Sequence, residues 1–368
     1  MKVLFIARAS LYKNRGGDTI QLHKTAEWLG KLGVAVEIRT ADEDIDYARY
    51  DLIHFFNLMR PADILRHAGD CGKPYVVSPL FVDYSEADKR TRKGFARLLL
   101  RVVAPDRIEY LKAIARQVLN GEKIISPDYW WYGQRGSIRR ILRHTAMLLP
   151  NSTNEYCRLR QRFGTDHPYR VIPNAIDPTL FPGGVGLHSG REQGLVLCAA
   201  RIEGIKNQLN LIRAVNGSSF RLILIGTPAV NQRAYYEECR KAAGPAVTFV
   251  DAVPQEELAA WYCKAQVHAL PSWFETTGLS SLEAAAMGCA LVISDRGDTR
   301  EYFGDHVLYC DPASPASILE ALEKAAGEGP SEALRKKILA RYTWADTARK
   351  TLAAYQMALS TPKLPKKP

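Results

Sequence analysis

Glu275 and Glu283 stand eight residues apart in ALPSWFETTGLSSLEAAAMGCALVISDRGDTRE, the stretch from Ala269 to Glu301. A carboxylate in a crevice accepts hydrogen bonds from hydroxyls and steadies positive charge as it develops. Between the two acids, the amides of Thr277, Gly278 and Leu279 open a helix-like segment. Unpaired N–H groups at the positive end of a helix suit an anion such as phosphate. A third feature lies upstream, where ARIEGIKNQ carries Arg201 and Lys206; a guanidinium grips phosphate oxygens as a fork and an ammonium as a point charge.

These side chains need elements to hold them. The apolar run Val267 to Leu270 reads as a strand and Pro271-Ser272 as a turn. A helix follows from about Gly278 to Met287, with Gly288 as its C-cap, and Ala290 to Ile293 is the next strand. That order, strand, loop, helix, strand, is the crossover unit of a parallel sheet, which binds ligands at the carboxyl ends of its strands. Arg201 and Lys206 occupy the same kind of place, just after the strand Leu195 to Ala200 and ahead of a helix from Gln208 to Val215. Taken singly, two glutamates eight apart or an Arg and a Lys five apart are ordinary surface charges.

Together they resemble a known pattern. The string P-S-x-x-E, G-L, L-E-A, G and an apolar strand is similar to the E-x7-E signature of retaining GT-B glycosyltransferases of family 4, the group 1 glycosyltransferases. VIPNAIDPTLF, from Val171, looks like a V-P-N-G-I-D segment of that family, and the likeness extends to about Ala321. The resemblance implies two Rossmann-like doubly wound α/β domains facing a deep cleft. It gives Glu275 to the donor sugar and Glu283 to the nucleotide ribose. Arg201 and Lys206 fall to the diphosphate, as do the amides of Thr277, Gly278 and Leu279. Thr276 replaces a glycine that often follows the first glutamate there.

The first half opens with a strand, Lys2 to Ala7, which fits a buried strand better than a signal peptide. The loop RASLYKNRGGDT leads to a helix, Leu22 to Leu32, and a strand, Val34 to Arg39. Gly16 and Gly17 allow close backbone approach before a helix, and by the resemblance they too face the donor diphosphate. They do not make G-x-G-x-x-G, which removes the main support for a dehydrogenase. Strands at Asp51 to Phe55 and Pro74 to Ser78 follow, with a helix from Pro61 to Ala68. Where relatives often carry a histidine, SPLFVDYSE has none; His54, Asp83 and Tyr84 are the candidates for that place.

The chain has 368 residues, enough for two domains, with 46% hydrophobic and 24% charged residues. Seven cysteines without a C-x-x-C pair argue against a disulfide framework or structural zinc and suit a cytoplasmic setting. The net charge is +11, and residues 89–143 hold fourteen Lys or Arg against four acids. KRTRKGFARLLLRVV and GSIRRILRH read as basic amphipathic helices, and Tyr129 to Tyr132 as an aromatic cluster. Either an anionic membrane surface or a solvated basic face accounts for them. No nucleic-acid motif accompanies the charge.

The expected domains are 1–175 with a basic insert at 86–145, a Pro/Gly-rich linker at 176–190, a second domain at 191–342, a helix at 343–360 returning to the first domain, and a disordered basic tail at 361–368. The resemblance implies a retaining hexosyltransferase that uses a UDP- or GDP-sugar, with no cofactor or metal ion. Its acceptor would be a glycan or lipid-linked molecule of a bacterial surface polysaccharide or lipopolysaccharide, met in the cytoplasm or at the inner membrane face. A nucleotide-sugar 2-epimerase and a catalytically inactive nucleotide-sugar-binding protein are the alternatives on the same fold.

Overall fold

A computed structural model describes residues 1–12, 16–83, 86, 110, 126–181 and 190–360. The basic segment 89–103, Tyr84 and the tail 361–368 lie outside the described residues. The chain forms two compact units, the first drawn from within Met1–Ser85, Arg92–Pro173 and Trp344–Pro368, the second running through Asn174–Thr343.

The first unit alternates strand and helix: β1 (Lys2–Ala7), α1 (Gly17–Lys31), β2 (Ala35–Thr40), β3 (Leu52–Phe56), α2 (Pro61–Asp70), β4 (Tyr75–Ser78), α3 (Asp128–His144), β5 (Met147–Leu148) and α4 (Thr153–Phe163). Its five strands are parallel in the order β2-β1-β3-β4-β5. Val3 to Ala7 and every residue of β3 are buried, as expected for central strands covered on both faces. Ser152 caps α4, its Oγ accepting from the Glu155 amide at 2.9 Å. Glu155 is itself fully buried, and its carboxylate accepts from the amides of Phe81 and Asn151 at 2.6 Å each. That carboxylate fixes the loop after β4.

The second unit holds β6 (Glu192–Ala199), α5 (Gln208–Val215), β7 (Arg221–Ile225), α6 (Arg233–Ala242), β8 (Val247–Val250), α7 (Gln255–Lys264), β9 (Ala265–Leu270), α8 (Leu279–Ala286), β10 (Ala290–Ser294), α9 (Thr299–Phe303), β11 (Leu308–Cys310), α10 (Pro315–Glu328) and α11 (Glu332–Arg341). Its six strands run β11-β10-β9-β6-β7-β8, all parallel. The last helix, α12 (Trp344–Ser360), packs on α1 and puts Ala348, Ala354, Tyr355 and Ala358 into the core of the first unit.

Several expectations change. The break between units falls at Pro173/Asn174, ahead of the expected linker. Ile176 and Phe181 are buried in the second unit's core, and Ile176 pairs with Thr343; apolar side chains in a Pro/Gly-rich stretch still find a core. α1 starts at Gly17, five residues before the apolar face that signals it.

Candidate functional site

In the second sheet the strand order reverses between β6 and β9, which lie side by side. Ligands of open parallel sheets bind at such a switch point, outside the carboxyl ends of the strands. Arg201 and Lys206 follow β6, and Glu275, Thr277 and Gly278 follow β9. Two bonds stitch these loops together: the Trp273 amide donates to the Ile205 carbonyl at 2.8 Å, and Asn207 Nδ2 donates to the Pro271 carbonyl at 3.0 Å. Asn207 holds this place in left-handed backbone, φ +59°.

Lys206 Nζ donates to Glu275 Oε1 at 2.6 Å, and Ser272 Oγ donates to the same oxygen at 2.7 Å. Glu275 is 7% exposed. Both anchors take one oxygen, so the orientation of the other, Oε2, is fixed without being filled. The backbone of Glu275 pairs with the β10 loop, its amide donating to the Arg296 carbonyl and its carbonyl accepting from the Asp298 amide at 2.8 Å. Gly297 makes that pairing possible: at φ +85° a Cβ there would lie 2.1 Å from the Glu275 carbonyl oxygen. Arg201 is more open and its guanidinium meets Glu203 at 3.0 Å.

Gly278 caps α8 at φ +75° with no side-chain cap, which leaves first-turn amides to face a ligand. At the other end, the Gly288 amide donates to the Ala285 carbonyl and the Cys289 amide to the Ala284 carbonyl. With Gly288 at φ +77° this is a Schellman stop. Glu283, on α8, is 6% exposed. Gln255 Nε2 donates to its Oε1 at 3.1 Å and the Tyr262 hydroxyl to its Oε2 at 3.2 Å. Burial outweighs both donors and pushes this carboxyl up to about 7. Sequence reasoning missed Gln255, Tyr262 and Ser272; only the P-S-x-x-E spacing could have pointed to Ser272.

Gly16 and Gly17 belong to the first unit, Gly16 as the N-cap of α1 and Gly17 as its first residue. Beneath them Arg8, 8% exposed, pairs with Asp18 at 2.7 Å and donates to Ser10 Oγ at 2.9 Å. The first turn of α1 therefore carries an acid whose charge is balanced. His54 is scaffold, which removes it as a candidate for the missing histidine: Nδ1 bonds the Tyr355 hydroxyl at 2.6 Å and Nε2 bonds Ser78 Oγ at 2.8 Å. Burial lowers its pKa to about 3, so it stays neutral. Asp83 lies in the loop after β4.

One acidic run does follow a strand, Asp42-Glu43-Asp44-Ile45-Asp46 past β2. Its members have other partners: Glu43 meets Arg39, Asp44 meets Arg66, and Asp46 caps a short turn at Ala48. Among the described residues, no group of three or more His, Cys, Asp or Glu side chains is placed to hold a metal ion.

The basic insert is partly visible as α3. Ile138, Ile141 and Leu142 are buried in the first unit's core, so the apolar face of GSIRRILRH is taken up by its own unit. Tyr129 is buried as well, while Trp130, Tyr132 and above all Trp131, 89% exposed, point outward with Arg139, Arg140 and Arg143. No helix among the described residues is long and apolar enough to cross a membrane.

Comparison with known proteins agrees with this geometry. The family model of glycosyl transferases group 1 matches residues 193–328, the span that carries Arg201, Lys206, Glu275 and Glu283. Residues 193–328 are a group 1 glycosyltransferase domain. The chain as a whole has the two-sheet α/β fold of GT-B glycosyltransferases. Sucrose-phosphate synthase from Thermosynechococcus elongatus superposes with a TM-score of 0.73 at 16% identity, over 97% of this chain and 98% of that one. Anabaena HepE, solved in complex with UDP-glucose, gives 0.68 at 14% identity over 97% and 99%.

By sequence, the chain is 27% identical over 239 residues to a D-inositol 3-phosphate glycosyltransferase of Acidothermus cellulolyticus, covering 58% of this chain and 53% of the relative. A protein of the same description from Kribbella flavida is 32% identical over 244 residues, covering 58% and 57%. The chain thus spans about half the length of the curated relatives it matches.

Proposed function

We propose that this protein transfers a hexose from a UDP- or GDP-sugar, with retention of configuration, to a glycan or lipid-linked acceptor. The observation that supports it most is the gathering of Arg201, Lys206, Glu275 and the open end of α8 around one switch point. Cleavage of the bond between the anomeric carbon and the phosphate oxygen sends its electron pair to the diphosphate. Arg201, Lys206 and the amides of Thr277, Gly278 and Leu279 stabilise that negative charge. No metal ion is required in this scheme, because fixed cations and amides carry the charge.

Glu275 Oε2 faces the ring as it becomes cationic, while Lys206 and Ser272 hold Oε1. The acceptor hydroxyl attacks the anomeric carbon on the face the diphosphate leaves, and its proton passes to the departing phosphate oxygen. Each Glu283 oxygen accepts one bond from the protein and keeps a lone pair for a ribose hydroxyl. The relatives described as inositol-phosphate glycosyltransferases extend the acceptor choice to a phosphorylated polyol. Exposed Trp130, Trp131 and Tyr132 beside Arg139, Arg140 and Arg143 support work at the anionic inner face of a membrane, by charge and interfacial aromatics.

The test is to follow UDP-glucose and GDP-mannose by proton NMR with the full chain and no acceptor. Slow hydrolysis that first releases the α anomer agrees with retention; first release of the β anomer refutes it. Epimerised sugar would identify an epimerase, and binding without turnover a protein that has lost catalysis.

A further inference from the structure

Ser294 closes β10, and its side chain is fully buried. The ladder between β9 and β10 runs only to the pair Leu270 and Ile293, and the residue after Leu270 is Pro271, which has no amide to donate. Beyond that pair a side chain takes over. Ser294 Oγ donates to the Ser272 carbonyl, while the carbonyl of Ser294 accepts from Thr299 Oγ1 at 2.8 Å. Ser272 and Thr299 are buried as well, so both bonds are sheltered from water.

A hydroxyl in a core costs free energy unless it is hydrogen-bonded, and alanine would fill this strand end without that demand. The bond that Ser294 makes leads to one place. Ser272, whose carbonyl it holds, donates its own Oγ to Glu275 Oε1 at 2.7 Å, three residues further on. The other end of this short turn is tied to the loop after β10, where the Asp298 amide donates to the Glu275 carbonyl at 2.8 Å. The end of β10 and its loop thus grip the turn 272–275 at both ends. Lys206 also reaches Oε1, but an ammonium on a flexible stem acts as a point charge and does not fix the plane of a carboxylate.

We infer that Ser294 is a positioning residue for Glu275: by holding the Ser272 carbonyl it aims Ser272 Oγ at Oε1, and so sets the direction in which Oε2 meets the donor sugar ring. That role rests on the transferase reading above and belongs to a residue that touches no substrate. It acts on the reacting geometry, whereas Arg201 and the open end of α8 grip the diphosphate.

The experiment follows hydrolysis of UDP-glucose and GDP-mannose without acceptor by proton NMR, and the affinity for UDP and GDP by calorimetry. The full chain is compared as wild type, Ser294→Ala, Ser272→Ala and the double mutant Ser272→Ala with Ser294→Ala. Ser294→Ala leaves a buried carbonyl without its donor and is expected to lower kcat about tenfold. Its affinity for the nucleoside diphosphate should change less than about twofold, because that grip is made elsewhere. Since Ser294 acts through Ser272, the double mutant should lose little more activity than Ser272→Ala alone.

A kcat unchanged in Ser294→Ala overturns the inference. So does a kcat that falls together with nucleotide affinity, as general damage to the sheet end would produce, or losses that multiply in the double mutant. Wild-type protein that hydrolyses neither donor overturns the transferase reading and this role with it. If Ser294→Ala loses its cooperative unfolding, Ser294→Cys, close in size but a weak donor, makes the same comparison.

Discussion

Replacing Glu283 by Gln should make the protein more stable and less able to bind its donor, and the gain in stability should depend on pH. The carboxyl has its usual value of 4.5 in the open chain and about 7 in the fold. The folded state therefore holds the proton more tightly, and stability from this group is complete below 4.5 and is lost as pH rises toward 7. At about 1.36 kcal/mol per pH unit the loss approaches about 3 kcal/mol at pH 8. Glutamine keeps the size and remains neutral, with an amide that can meet Gln255 and Tyr262 once Gln255 turns its own amide over. The difference in unfolding midpoint between Glu283→Gln and wild type, read on the transition of the second unit from pH 5 to 8.5, isolates the term because other groups cancel. The mutant should gain little at pH 5 and most of about 3 kcal/mol by pH 8, while nucleotide binding weakens. A difference that stays flat across this range refutes the account of Glu283 as a desolvated carboxylate.

Three further outcomes follow from the geometry. Gly297→Ala forces a Cβ to within 2.1 Å of the Glu275 carbonyl at a positive φ, so thermal unfolding should register a loss of at least about 2 kcal/mol. His54→Phe leaves the Tyr355 hydroxyl and Ser78 Oγ without their partner and should cost about 2–4 kcal/mol in urea unfolding. Because the folded pKa of His54 is about 3, its contribution in the wild type is present above 6.5 and falls as the pH drops toward 3, where the unfolded chain takes the proton first. Arg139→Glu with Arg140→Glu should reduce sedimentation with phosphatidylserine vesicles at least about tenfold and flatten its salt dependence; unchanged binding removes the membrane surface from the account.

Much of the second unit could be read from sequence because its signals are local. Leu195 to Ala200 and Arg221 to Ile225 are runs with no other use than a buried strand, and Gly278 and Gly288 bracket α8 by backbone needs that glycine meets. The boundaries of the helix Gln208–Val215 agree to the residue. What the sequence hid depends on contacts across distance. Lys206 meets the Glu275 carboxylate across 69 positions, a pairing that no spacing announces. Asn174 reaches Thr277 across 103 residues.

His54 could be recognised as scaffold only once Tyr355, 301 residues away, was seen against it. The apolar face of α3 was visible in GSIRRILRH, but periodicity cannot say whether such a face meets a lipid or its own domain. Here Ile138, Ile141 and Leu142 meet the first unit's core. The start of the Pro/Gly-rich stretch misled in the opposite sense, since its Ile176 and Phe181 lie in the second core.

The central claim is that one crevice at the β6/β9 switch point binds a nucleoside diphosphate through fixed cations and amides. Its most direct test is calorimetry of UDP, GDP and ADP in excess EDTA on the wild type and on Arg201→Ala with Lys206→Ala. The account predicts that one nucleotide binds the wild type without a metal ion and that the double mutant loses at least about 2 kcal/mol of that affinity. No binding by any of the three, or equal binding to the double mutant, contradicts it.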